Sequence, residues 1–177
     1  MWARLKNIAL IAGCAVLLIV LCAALLYHSL PAPYRETVLK YADEYGVPPS
    51  LIYAVIKSES NFDPTAVSHA GAKGLAQLTD DTARYVAGMI GIEYHDGDSF
   101  DAEKNIRLSV CYLRYLLNKY DGNLRPAIAA YNAGEGNVDR WIASGNDMRS
   151  LPFGETDRYL RRVQRYKRLY ELMYNME

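Results

Sequence analysis

Beyond residue 35 the apolar positions of this chain recur at helical spacing. Val38, Ala42 and Tyr45 share one side of a segment over residues 36–45, and Gly46 stops it. Pro48-Pro49 opens the next segment, because proline suits a first turn. The run Leu51-Ile52-Tyr53-Ala54-Val55-Ile56 then predicts a buried helix to about Ser58 or Glu59. Residues 61–79 read as glycine-punctuated loop with a short helix. Thr79 or Asp80 can cap a helix reaching residues 88–90, with Ala83, Val86 and Ile90 as its stripe. Residues 93–100 form a polar loop. Asp101 caps the clearest helix, 102–120, with Ile106, Val110, Leu113 and Leu117 on one face. A short apolar helix over 126–132 stops at Gly134, and another carries Val138, Trp141 and Ile142. The last helix begins at Glu155, with Tyr159, Val163, Tyr166 and Tyr170 in step. There is no strand series and no repeat, so the expectation is an all-α domain of short helices over residues 36–177.

The first part of the chain has a different pattern. Residues 8–27 (IALIAGCAVLLIVLCAALLY) carry no charge over twenty positions. At about 1.5 Å per residue such a helix spans roughly 30 Å, the thickness of a bilayer's hydrocarbon. Arg4 and Lys6 flank its start, and no acid occurs before Glu36. The positive-inside rule then predicts a single-pass anchor in residues 1–27, with the domain outside the cytoplasm. A cleaved signal, with Cys22-Ala23-Ala24 as its site, and a lipoprotein processed before Cys14 are the rival readings. All three are extracytoplasmic. Residues 28–35 read as a proline-containing linker.

Composition narrows the function classes. The chain has 20 basic and 20 acidic residues; without Arg4 and Lys6 the remainder holds 18 against 20. That excludes the basic footprint of a nucleic-acid binder. A domain from about residue 28 to 177 suffices to bury roughly 70% of the unfolded surface without staples. Cys111 is the only cysteine outside the apolar run, so no disulfide within the domain and no cysteine-built zinc site is expected. It reads as a small buried hydrophobe. His28, His69 and His95 lack ligand spacing, so no metal or cofactor is expected. No nucleophile elbow is present.

One carboxylate stands out. Glu59 follows the buried run and precedes the loop Ser60-Asn61-Phe62-Asp63-Pro64. A helix C-terminus is the negative end of the dipole, and an apolar wall adds desolvation. Both raise a carboxyl pKa, as a general acid working near neutrality requires. A solvated helix-end charge is the plain alternative. Asp63 precedes Pro64 and reads as a loop-shaping residue.

Four stretches, in order, resemble the catalytic domain of the soluble lytic transglycosylase family, with its goose-type, lysozyme-like fold. They are Glu59-Ser60 with Phe62 and Pro64; SHAGAKGLAQL, residues 68–78; AAYNAGEGNV, residues 129–138; and PFGETDRYLRRV, residues 152–163. The likeness extends over residues 36–172. It implies an enzyme that cleaves the β-1,4 bond between N-acetylmuramic acid and N-acetylglucosamine in peptidoglycan. It implies that Glu59 acts as acid and then base, with no second carboxylate required. The substrate's N-acetyl group assists, and the muramyl 6-hydroxyl closes a 1,6-anhydro ring.

The same resemblance implies supporting roles. Ser60, Gln77 and Asn132 fall at cleft positions that hydrogen-bond sugar or pin the backbone. Tyr131 matches the tyrosine whose hydroxyl orients the acid. Glu155 matches a substrate-contacting cleft residue, and Tyr159 lines the cleft or packs in the core. Two departures stand out: Ala76 replaces a methionine that lines a sugar subsite in the family, and Thr79-Asp80 replaces Met-Pro. The alanine implies a wider subsite. Two other functions share this scaffold, a hydrolytic muramidase and a non-catalytic glycan-binding module. Finally, residues 158–168 hold six basics, read as a solvated helix face or as a contact for anionic wall polymer or lipid headgroups.

Overall fold

The computed structural model describes residues 2–146, 148 and 154–176. The chain divides into two compact units, Met1–Pro33 and Tyr34–Glu177. In the first, helix α1 (Trp2–Ser29) contains Lys6–Leu26, a stretch of mean hydropathy 3.0. By length and composition it can cross a membrane.

The second unit contains α2 (Arg35–Tyr45), α3 (Pro49–Glu59), α4 (Asp80–Met89), a 3-10 turn (Asp98–Phe100), α5 (Ala102–Lys119), α6 (Leu124–Ala133), α7 (Glu135–Ala143) and α8 (Gly154–Tyr174). No β-strand occurs among the described residues, so the expected all-α class holds. Helix α3 is the core. Residues Leu51 through Ile56 are each at most 1% exposed, so the helix is apolar all round and must be enclosed. It packs chiefly against α8 and also against α2, while α5 packs against α2, α4 and α6. Tyr53 of α3 stacks on Tyr170 of α8 with ring centroids 5.1 Å apart.

Side-chain caps set the starts of α4, α5 and α6. The Thr79 hydroxyl accepts from Thr82 N–H, and Asp101 Oδ1 accepts from Lys104 N–H at 2.7 Å. Asn123 Oδ1 accepts from Arg125 N–H at 3.1 Å, which starts α6 at Leu124 rather than at residue 126. Two further expectations change. The short helix expected within 61–79 is absent; that segment instead makes isolated antiparallel bridges, Val67 with Lys73 and Lys73 with Leu78. In α7 only Val138 and Trp141 face the core, whereas Ile142 is 43% exposed. Cys111 is buried, as expected.

Candidate active site

Glu59 is the last residue of α3 and borders a cleft of about 670 Å³. The cleft is built from the end of α3, the loop before α4, the α6–α7 junction and the start of α8. Burial pushes the Glu59 carboxyl up to about 7 from its ordinary value of 4.5. Two neighbours oppose the shift: the hydroxyl of Tyr159, which donates to Glu59 Oε1 at 2.6 Å, and the charge of Arg162.

The chain leaves α3 through a strained turn. Asn61 (φ 53°) and Phe62 (φ 69°) both lie in the left-handed region, where Phe62 in particular is out of place. The Phe62 ring is held 6.1 Å from that of Tyr53. Asp63 Oδ1 then accepts from the backbone N–H and the hydroxyl of Thr65, closing the turn as the sequence suggests.

The loop before α4 is fixed from beneath by Asn105, fully buried on α5. Its Oδ1 accepts from Ala76 N–H at 2.8 Å, and its Nδ2 donates to the carbonyls of Lys73 and Ser99. Gly74 is required where this asparagine meets the loop. At φ 75°, a Cβ there would lie 2.0 Å from the Ser99 carbonyl oxygen and 2.5 Å from Asn105 Nδ2. Gln77 lines the cleft in a left-handed conformation (φ 50°), and its Nε2 donates to the carbonyls of Ala66 and Gly74.

Of the residues expected at the site, Glu59, Gln77, Tyr131, Asn132, Glu155 and Tyr159 all line this one cleft. Ser60 does not. Its hydroxyl donates to the Leu75 carbonyl at 2.7 Å, tying the end of α3 to the loop. The orienting tyrosine also differs from expectation. Tyr131 is near enough for the Glu59 charge to raise its phenol pKa, but burial raises it more, and its hydroxyl donates to the Ala76 carbonyl at 2.9 Å. The hydroxyl on the acid belongs to Tyr159, which is 2% exposed and reaches it from α8. Ala76 is fully buried and does not line the cleft, so its contribution is its backbone and not a widened subsite. Pro152 and Phe153 of the fourth motif lie outside the described residues.

Two residues escaped the sequence reading. Asn105 gave a faint signal, as an amide adjoining the apolar face of its helix. Arg162 gave a better one: it is three residues from Tyr159, the spacing that brings helix side chains together. It lines the cleft with its guanidinium carbon 5.5 Å from the Tyr159 ring centre.

Comparison with known proteins bears on this arrangement. The model of the transglycosylase SLT domain matches residues 36–150. The soluble lytic murein transglycosylase of Escherichia coli K12 is 31% identical over 149 residues, covering 79% of this chain and 23% of the relative. A membrane-bound lytic murein transglycosylase C from Yersinia enterocolitica is 34% identical, covering 77% of this chain and 46% of the relative. The chain thus spans from about a quarter to less than half the length of these curated relatives. Among solved structures, the 70 kDa soluble lytic transglycosylase of E. coli superposes with TM-score 0.78 at 30% identity, over 83% of this chain and 25% of that one. An inactive mutant of the lytic transglycosylase Slt from Pseudomonas aeruginosa gives 0.75 at 33%, over 82% and 25%. The expected lysozyme-like helical fold is thereby shown. Given a family model that matches well over half of its residues, the chain belongs to the transglycosylase SLT domain family.

Proposed function

We propose that this chain is a membrane-tethered peptidoglycan lytic transglycosylase, with Glu59 as its single acid and base. The observation that carries the reading is the state of that carboxyl. It borders a cleft, is held near half-protonation at neutral pH, and is oriented by the Tyr159 hydroxyl. Protonated Glu59 gives its proton to the glycosidic oxygen as the bond to the anomeric carbon breaks. The substrate's own N-acetyl carbonyl oxygen supports that carbon. The Glu59 carboxylate then takes the proton of the muramyl 6-hydroxyl, whose oxygen attacks the anomeric carbon and closes the anhydro ring. One proton leaves Glu59 and one returns, and no water is consumed.

The influences on the Glu59 carboxyl are burial, Tyr159 and Arg162, with no carboxylate among them. A two-carboxylate hydrolase places its partners about 5–10 Å apart. The specific feature that favours a muramidase instead is Glu155, a second carboxylate lining the same cleft. We assign Glu155, Gln77 and Asn132 to substrate contact, Tyr131 to the cleft wall, and Ser60 to loop anchoring. The substrate is the peptidoglycan glycan strand. The Lys6–Leu26 stretch supplies a single-pass anchor that leaves the domain extracytoplasmic. Relatives named as membrane-bound support that placement. On α8, exposed Arg158, Arg165 and Arg168 face anionic wall polymer or lipid headgroups, whereas Arg161 pairs with Asp157 and Lys167 with Glu171.

The test uses the full chain in detergent on purified peptidoglycan sacculi, followed by turbidity. Wild type clears the suspension. Glu59→Gln loses roughly 10²–10⁴-fold in rate, and Glu155→Gln retains measurable turnover. Clearing by Glu59→Gln at the wild-type rate overturns the assignment.

A further inference from the structure

Six basic residues crowd α8 between Arg158 and Arg168, and one of them faces the candidate site. Arg162 lines the cleft and lays its guanidinium over the Tyr159 ring, with 5.5 Å from Cζ to the ring centre. Its Nη2 donates to the Ser58 carbonyl at 3.3 Å. That carbonyl belongs to the last turn of α3, where backbone acceptors lack partners within the helix. No carboxylate pairs with Arg162 among the described residues, unlike Arg161 and Lys167 on the same helix.

We propose that Arg162 is a positioning residue for the acid: it clamps Tyr159 against the end of α3 and keeps a fixed positive charge beside the Glu59 carboxylate. This rests on the reading of Glu59 as the acid. Arg162 exchanges no proton in the reaction. Its effect is on how readily Glu59 gives its proton up and how stably the resulting carboxylate waits for the 6-hydroxyl. Burial alone favours the protonated form and would leave a poor donor. A cation at the helix end also offsets the negative end of the α3 dipole, where Glu59 stands.

The surroundings make this role specific. Facing the cleft with Glu59 are Glu155, Tyr159 and Arg162 of α8, Tyr131 of α6, Tyr112 of α5 and His69 of the loop. Lys57, two residues before Glu59 on α3, donates to Asn61 Oδ1. Of these, Tyr159 and Arg162 act on the carboxyl, and only Arg162 brings full charge. A planar guanidinium can stack on the ring and bond the carbonyl together; a lysine keeps the charge without that fit.

The experiment compares wild type, Arg162→Gln and Arg162→Lys as full chains in detergent. The first readout is the pH dependence of kcat and KM on purified peptidoglycan. The expected result for Arg162→Gln is a basic limb displaced upward by roughly half to one pH unit. Its kcat falls roughly tenfold and its KM stays within about twofold, because transition-state stabilisation is lost and not substrate affinity. Arg162→Lys keeps the limb near the wild-type position. The second readout needs no turnover: the carboxyl of carbon-13-labelled Glu59, identified by its loss in Glu59→Gln, is titrated in each chain. Its midpoint rises in Arg162→Gln. An unmoved midpoint and limb in Arg162→Gln overturn the proposal, as does an equal shift in both variants. A raised midpoint in a chain that forms no anhydro product supports the positioning role and rejects the reaction.

Discussion

Glu59 is held between opposed influences. The apolar end of α3 favours its neutral form, while the Tyr159 hydroxyl and the Arg162 charge favour the carboxylate. Burial wins, and a balance near 7 suits the proposed role of one group as acid and then base. Removing one opposing influence must move the balance upward. Tyr159→Phe deletes the 2.6 Å hydrogen bond while keeping the ring. Its basic limb should rise by roughly half to one pH unit, with kcat reduced about tenfold, measured on sacculi between pH 5 and 9. At this scale the sequence singled out Glu59 as the candidate acid, less through the apolar run before it than through its place among the four stretches that resemble the family. It did not identify the acid's hydroxyl partner. Tyr131 and Tyr159 both reach the cleft, and the choice depends on how α6 and α8 are rotated about their axes. That rotation is a packing outcome: Ala76 offers Tyr131 a backbone acceptor, and Tyr159 is left to the carboxylate.

The elements divide into those with local rules and one without. Helices α4, α5 and α6 begin at side chains that accept backbone N–H groups, so their starts were readable to within two residues. The loop between α3 and α4 has no such grammar. It is organised by a distant buried amide, Asn105, which bonds the Ala76 N–H and the Lys73 carbonyl, and by backbone accommodated at Gly74 and Gln77. Its glycines announced a special backbone but not what approached it. Asn105→Ala strands the Ala76 N–H and the Ser99 carbonyl, while the Lys73 carbonyl keeps the Leu78 N–H, and should cost about 2 kcal/mol or more in chemical denaturation. Gly74→Ala should cost at least as much, because the added Cβ meets backbone at 2.0 Å and φ is 75°. Loss of glycan affinity should accompany both, since Gln77 rides on this loop. Stability within about 0.5 kcal/mol of wild type for Gly74→Ala would contradict the account.

For the whole molecule, the acid carries a cost that depends on pH. Glu59 titrates near 7 in the folded chain against an ordinary 4.5. Between those values the native state binds more protons than the unfolded state, so stability falls as pH rises through the window. The full difference is on the order of 3 kcal/mol above pH 7. Glu59→Gln should remove this slope, leaving a variant more stable than wild type at pH 8 and nearly equal at pH 4, by thermal unfolding in detergent. The two-part organisation was legible because the charge-free run of residues 8–27 contrasts so sharply with the amphipathic helices that follow. Anhydro ring closure and hydrolysis could share this cleft, with Glu155 available as a second carboxylate. The most direct measurement is mass analysis of the muropeptides released when the full chain digests purified peptidoglycan. A single-acid mechanism predicts fragments ending in 1,6-anhydromuramic acid, one water lighter than reducing ends. Fragments with reducing ends alone would contradict it.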